Sequence, residues 1–345
     1  MKNFFFFLLV SFTCTISFAQ NNEREPYMTK PLSSDNVKQV NVQTSGGSIS
    51  VTGVSPSEAR LEVYISGNNG KNDLSKEEIK KRLDELYRLD ITVTNNKLTA
   101  VAKTKEKMND WKRGLNISFK VFVPTNISSD LNTSGGSISL SNLAGTQEFS
   151  TSGGSLHIDR LTGKIDGRTS GGSIHLENSK DDINLTTSGG SIEASNCEEK
   201  IKLSTSGGSL RLNNLKGSVS ASTSGGSVKG KEVVGELSAF TSGGNIDFAD
   251  LSCSLETSTS GGNIDVSFKE LGKYVRISNS GGNIDLTIPK NKGLDLKLSG
   301  DRIKTDQLTN FNGRVDDDEV NGQLNGGGIP VKVTAGSGKV NLAFK

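Results

Sequence analysis

The tripeptide Ser-Gly-Gly begins at residues 134, 152, 170, 188, 206, 224, 242 and 260, in seven successive steps of 18. A 20-residue step then reaches Ser280, and an isolated copy sits at Ser45. Spacing this regular means that one supersecondary unit is repeated, because a unit too small to bury its own apolar side must stack on its neighbours. With each Ser counted as position 1, apolar residues fall mostly at positions 5, 7, 10, 14 and 16. One repeat shows Leu156, Ile158, Leu161 and Ile165; later ones show Ile174, Leu176, Ile183 and Leu185, then Ile192, Cys197, Ile201 and Leu203. A spacing of two within each pair is that of a strand with one face buried. The period therefore predicts two short strands per repeat, at positions 4–8 and 13–18, with turns at Ser-Gly-Gly and around positions 9–12. Asn142, Asn178, Asn196 and Asn214 stand at position 9, where Asn suits a turn.

Stacking such coils ~4.8 Å apart buries a narrow continuous core and pairs backbone groups in parallel ladders. The expected fold is all-β: a single-chain parallel β-solenoid, or β-helix, with 18-residue coils. A left-handed hexapeptide helix needs apolar residues every six positions, whereas the steps here are 2, 3, 4 and 2. The general preference for right-handed parallel crossovers then favours the right-handed form. Composition agrees. The ten Ser-Gly-Gly copies hold 20 of the 40 glycines, and with 32% hydrophobic and 6% aromatic residues a 345-residue globular α/β core is excluded. Collagen is excluded too, since Gly does not recur every third residue and there are only 6 Pro. In the stack, Thr151, Thr169, Thr187, Thr205, Thr223, Thr241 and Thr259 form one column, followed by columns of Ser or Asn, with ladders of hydroxyls and amides expected between rungs. The paired Gly permits either a positive φ or a close backbone approach at a corner. No Lys follows in the P-loop pattern, so the tract reads as a corner repeated once per coil rather than a phosphate cradle.

Residues 1–19 read as a Sec-type signal peptide: Lys2, the apolar run Phe4 to Val10, and Ser17-Phe18-Ala19 before the cut. Residues 20–36 are expected to be a flexible N-terminal segment, 37–130 an N-terminal β region, 131–290 the repeat array, and 291–345 a C-terminal β cap. A capping helix is expected at 75–87, where Ser75 caps, Glu78 closes a capping box, and Leu74 with Ile79 forms a hydrophobic staple. Both flanks would cover the open strand edges of the terminal coils. No later segment is apolar enough to be read as a transmembrane span. With 40 basic against 38 acidic residues and no basic stripe interleaved with aromatics, nucleic acid is not an expected partner.

The Thr-Ser-Gly-Gly-Ser-Ile units, the Phe119 to Pro124 strand, Asn325-Gly326-Gly327-Gly328 and the closing Ala335 to Leu342 together resemble the bacterial DUF4097 family of β-strand-repeat proteins, often called adhesins. The resemblance spans roughly residues 37 to 345 and implies the solenoid architecture and a surface-binding role. It brings no catalytic signature and no cofactor.

The only two histidines, His157 and His175, share position 6 in adjacent coils, with Glu193 continuing the column and Asp159 and Glu177 two residues along. Two His with carboxylates at this spacing suit Zn²⁺ or Cu²⁺, although a solvated polar face is the commoner meaning of such a column. Asp247, Asp265 and Asp285 also share position 6, each with Asn (245, 263, 283) two residues earlier. Stacked carboxylates repel, and a bridging Ca²⁺ would relieve them, as would screening by solvent. Outward carboxylates are plentiful, yet in sequence none is accompanied by Arg, Tyr or Trp in the manner of a sugar cleft, and Trp111 lies outside the array. No Ser is distinguished from the others of its column as a nucleophile. Cys197 and Cys253 fall three coils, ~14 Å, apart, beyond disulfide reach, and read as small core residues.

The expectation is an exported, non-enzymatic solenoid without a cofactor, located in the periplasm, at the cell surface or outside, which presents polar Ser/Thr/Asn ladders and the position-6 column to envelope glycans or proteins. A polysaccharide lyase or hydrolase on the same scaffold, and a metal-binding scaffold, are the alternatives.

Overall fold

The computed structural model describes residues 25–68, 74–106 and 111–345; the expected signal peptide lies outside them. The described chain is all-β, with one α-helix, Lys76–Leu86. From Ser128 to Val266 the strands pair in parallel with partners 18 residues away. Leu156 lies beside Ile174, Ile174 beside Ile192, and Ile192 beside Leu210. The apolar positions point inward, and Leu156, Leu161, Ile165, Ile183 and Leu203 are all fully buried.

Each rung turns twice. Position 9 is left-handed in seven successive rungs, from Asn142 (φ 57) to Asp250 (φ 54). Position 12 is left-handed too, mostly at Gly, as in Gly145, Gly163 and Gly217. Asn tolerates this backbone because its short amide bonds locally, and here the amides also link rungs: Asn214 Nδ2 donates to Asn196 Oδ1 at 2.8 Å.

The Ser-Gly-Gly corner works differently. Neither of its glycines has a positive φ. A Cβ on the second Gly would lie about 2 Å from the carbonyl oxygen of the equivalent Gly one rung back, as at Gly172 against Gly154. A Cβ on the first would make only ordinary contact, 3.6 Å at Gly171. Close approach is therefore what the motif needs, and only at one of its two glycines.

The Thr column is buried, with exposures of 1–7%. Each Thr Oγ1 donates to the second-Gly carbonyl of the preceding rung, as Thr169 does to Gly154 O at 2.7 Å, and accepts from its own second-Gly N–H. The Ser or Asn after the glycines accepts the N–H of its counterpart in the next rung: Ser209 N to Ser191 Oγ at 3.1 Å, Asn263 N to Asn245 Oδ1 at 2.9 Å. At the corner the expected hydroxyl and amide ladders thus run from side chain to backbone. They satisfy corner groups that strand pairing cannot reach.

In two columns a bulky ring is matched by a missing side chain in the adjacent rung. Phe149 fills the space left by Gly167, and Phe248 that left by Gly230. Each pair shares one column, so a ring in one rung is accommodated by the absence of a side chain in the next.

The copy at Ser45 is not isolated in space. Gln39–Thr44 and Ile49–Val54 pair with Ser128–Thr133 and Ile138–Ala144, and Thr133 Oγ1 bonds Gly47 O at 2.8 Å. The intervening chain makes an excursion that forms one more rung (Lys97–Thr104 and Leu115–Pro124) and then closes the stack with antiparallel strands Tyr87–Thr94 and Arg60–Gly67. Residues 28–36, expected within a flexible segment, take part: Met28–Pro31 pairs antiparallel with Arg60–Gly67, and Leu32 is buried. The other end repeats the device. Ile329–Ala335 and Lys339–Phe344 form a rung on the array, Leu294–Ser299 and Arg302–Thr305 the next, and Glu319–Leu324 then closes it antiparallel.

Ser75 caps the helix by accepting Glu78 N at 3.2 Å, but the reciprocal half of the expected capping box gives way to a Glu78–Arg82 pair at 2.6 Å. Leu83 and Leu86 pack against the core.

Candidate functional site

The position-6 column forms as the period requires: His157, His175, Glu193, Arg211, Lys229, Asp247, Asp265 and Asp285 lie side by side on successive rungs. The two imidazoles stack face to face, 5.2 Å between centroids and 3° from parallel. Burial, and then the adjacent His175, push His157 below its ordinary value. His175 Nδ1 lies 3.7 Å from Glu193, while Asp159 is taken by Arg160 (2.7 Å) and by the Asn178 amide (2.9 Å). Glu177 stands beside Asp159 in the position-8 column. Among the described residues, no three His, Cys, Asp or Glu side chains converge as a metal would need.

The aspartates behave as stacked carboxylates do. Partial burial, with Asp285 and Asp247 on either side, raises Asp265 above its ordinary value. The ends of this ladder are relieved by other side chains: Lys229 lies 3.6 Å from Asp247, and Asn341 donates to Asp285 at 2.5 Å. The neighbouring Asn263 and Asn283 each accept a backbone N–H of the next rung at Oδ1, from Asn283 and Lys339.

Cys197 and Cys253 are buried and free. Burial pushes their thiols up to about 11 and about 12. The Thr column, expected as part of a contact surface, faces inward and is spent on the backbone.

The sugar-cleft expectation needs the larger correction. On the face made by positions 13 to 17, Tyr274 and Arg276 meet Glu236, Glu256 and Phe240 across three rungs. The reason is the 20-residue step. Its two extra residues form a bulge at Gly272 and Lys273, where Lys273 N donates to the Ser254 hydroxyl at 2.8 Å. Bulges re-aim the side chains beside them. The Tyr274 hydroxyl, just past this one, reaches over the intervening rung to donate to Glu236 at 2.6 Å. That bond to a carboxylate pushes the phenol up to about 12. The Arg276 guanidinium sits 4.5 Å over the Tyr274 ring and 4.0 Å from Glu256, so it is held from two sides.

Beside them runs an open groove of about 390 Å³, walled by Phe240, Glu256, Arg276 and Lys332, with Ser258, Ser278 and Thr334 offering hydroxyls. Phe240 is 37% exposed. Its column otherwise carries Ser150, Arg168, Thr186, Ser204, Ser222 and Ser258. One aromatic in a column of polar residues is the signal that points here from sequence, together with Tyr274 and Arg276 directly after the broken period. At the far end of the same face, a second groove is lined by Asp130, Glu148, Asp166 and Arg168.

No helix among the described residues is long and apolar enough to cross a membrane. No family model matches the chain, so the likeness to DUF4097 is a resemblance only, and no curated protein matches either. Two crystal structures are similar at 12% identity. A "putative cell adhesion protein" of Clostridium sporogenes ATCC 15579 aligns over 92% of this chain and 98% of its own, with a TM-score of 0.20. A "putative adhesin" of Bacteroides fragilis NCTC 9343 aligns over 92% and 96%, with a TM-score of 0.25. Superposition this weak carries nothing over to the present chain.

Proposed function

We propose that this chain is an exported, non-enzymatic, right-handed β-solenoid of the DUF4097 type that binds at the bacterial envelope. The observation that carries the reading is the division of labour within each rung. The corner hydroxyls and most corner amides are spent on the backbone between rungs, as those of Thr169 and Asn263 are, whereas positions 6, 8, 15 and 17 repeat side chains that face outward. Such a scaffold displays ordered columns over many rungs, and extended surfaces of this kind are what repeat proteins use for binding. Export rests on the signal-like residues 1–19. Binding of the purified chain 20–345 to cells, envelope fractions and a glycan panel, with and without divalent metal, tests it. Failure to bind any of them would sink the reading. Polysaccharide turnover abolished by Glu256→Gln would favour the carbohydrate-active alternative instead.

A further inference from the structure

The position-15 column is polarised along the stack. Near its N-terminal end, Asp130, Glu148 and Asp166 lie on successive rungs; near its C-terminal end, Arg276, Lys332 and Lys297 do. Like charges one rung apart repel. At the acidic end the fold answers this with opposite charges, Lys164 at 3.4 Å from Glu148 and Arg168 at 3.4 Å from Asp166, as it does at Lys200–Asp182 and Lys216–Glu198. Among the described residues, neither Lys332 nor Lys297 has an ion-pair partner. Three cations in a row, one already oriented by Tyr274 and Glu256, await an anion with charges at a similar repeat. In the same groove, two rungs from Arg276 and three from Lys332, stands Phe240, an exposed ring in a column of polar residues. An aromatic face and an Arg on a rigid sheet are the usual anchors of a recognition site.

We propose that this groove binds an acidic polysaccharide lying along the stack, its carboxylates meeting Arg276, Lys332 and Lys297 and one sugar face resting on Phe240. The Arg276 fork suits a carboxylate bidentately, and the lysines act as point charges. Sugar hydroxyls meet Ser258, Ser278 and Thr334. The far end of the same face offers no such row of cations, since its Lys164 and Arg168 are held by Glu148 and Asp166. This inference rests on the envelope-binding reading and names its site and ligand class.

The test is calorimetric titration of the chain with oligogalacturonates, which carry one carboxylate per ring, against their methyl esters. The expected result is binding that weakens as salt rises and is absent for the ester. Arg276→Gln and Lys332→Gln should each weaken it at least tenfold. Phe240→Ser should do the same without lowering the melting temperature, since Ser258 and Ser222 stand at that position in other rungs. The proposal is overturned if the oligomer does not bind, if the ester binds equally, or if the variants bind as the parent does. Equal affinity for a single-stranded DNA of the same charge also overturns it. So does a salt-sensitive dimer abolished by Lys332→Gln, for then the acidic end of a second copy is the occupant. Applying the same variants to envelope fractions separates the two readings. Capture that persists in all three sinks the groove alone, and absence of capture by the parent sinks both.

Discussion

The two glycines of each corner look equivalent and should respond oppositely to a methyl group. Consider Gly171→Ala and Gly172→Ala. At Gly171 the new Cβ meets nothing nearer than Ser152 O at 3.6 Å, and φ lies outside the left-handed region. Reduced unfolded-state entropy should then make the change neutral, or stabilising by about 0.4–1 kcal/mol. At Gly172 the Cβ falls 2.0 Å from Gly154 O and 2.4 Å from its carbonyl carbon. That same oxygen accepts from Thr169 Oγ1, whose oxygen accepts in turn from Gly172 N. Separating the rungs to make room strains both bonds and the Gly171 N to Ser152 O bond beside them. Overpacking of this kind costs about 1–3 kcal/mol, and an unsatisfied buried hydrogen-bonding group adds about 1–3 kcal/mol. A combined loss on the order of 3–5 kcal/mol is expected at Gly172. Thermal and guanidinium unfolding followed by circular dichroism measures it, with amide exchange at Thr169 and Gly172 as a local readout. Equal midpoints for the two variants would refute the claim that carbonyl contact between rungs dictates this glycine.

Three further outcomes follow from the same geometry. Gly230→Ala should destabilise by about 1–3 kcal/mol because its Cβ lies 2.8 Å from the Phe248 ring, and Phe248→Leu in the same chain should recover part of that loss in a double-mutant cycle. His157 is depressed in the folded state, so the unfolded chain binds the proton first. Stability present above the ordinary imidazole value of 6.5 should fall as pH drops below it, and His157→Gln should flatten that slope in melting curves taken from pH 8 to 5. Asp265 is raised, so its deprotonation opposes folding as pH climbs past 3.8. Asp265→Asn should therefore raise the melting temperature at pH 7 and lose that advantage below pH 4, by a few tenths of a kcal/mol after solvent screening.

Much of the scaffold was legible because the period is local. A residue's partner lies 18 positions away wherever the step is kept, so alternation alone places Leu156 and Ile174 inside and His157 and His175 outside, in one column. The Asn turn at position 9 could be read for the same reason. What the period could not convey lies where it breaks. Ser45 stacks on Ser134 across an excursion of more than 80 residues. Tyr274 reaches Glu236 only because two extra residues bulge beside it.

By itself, then, the sequence determined the rung: its length, its inward positions, its turns and the columns its side chains occupy, since each of these follows from strand alternation within 18 residues. The tertiary structure decided everything that depends on what the adjacent rung carries. It chose close approach over a left-handed backbone at Gly172, bonded each Thr hydroxyl to the Gly carbonyl one rung back, and matched Phe248 to Gly230. Those outcomes depend on contacts about one strand spacing apart in space, between residues that are distant along the chain.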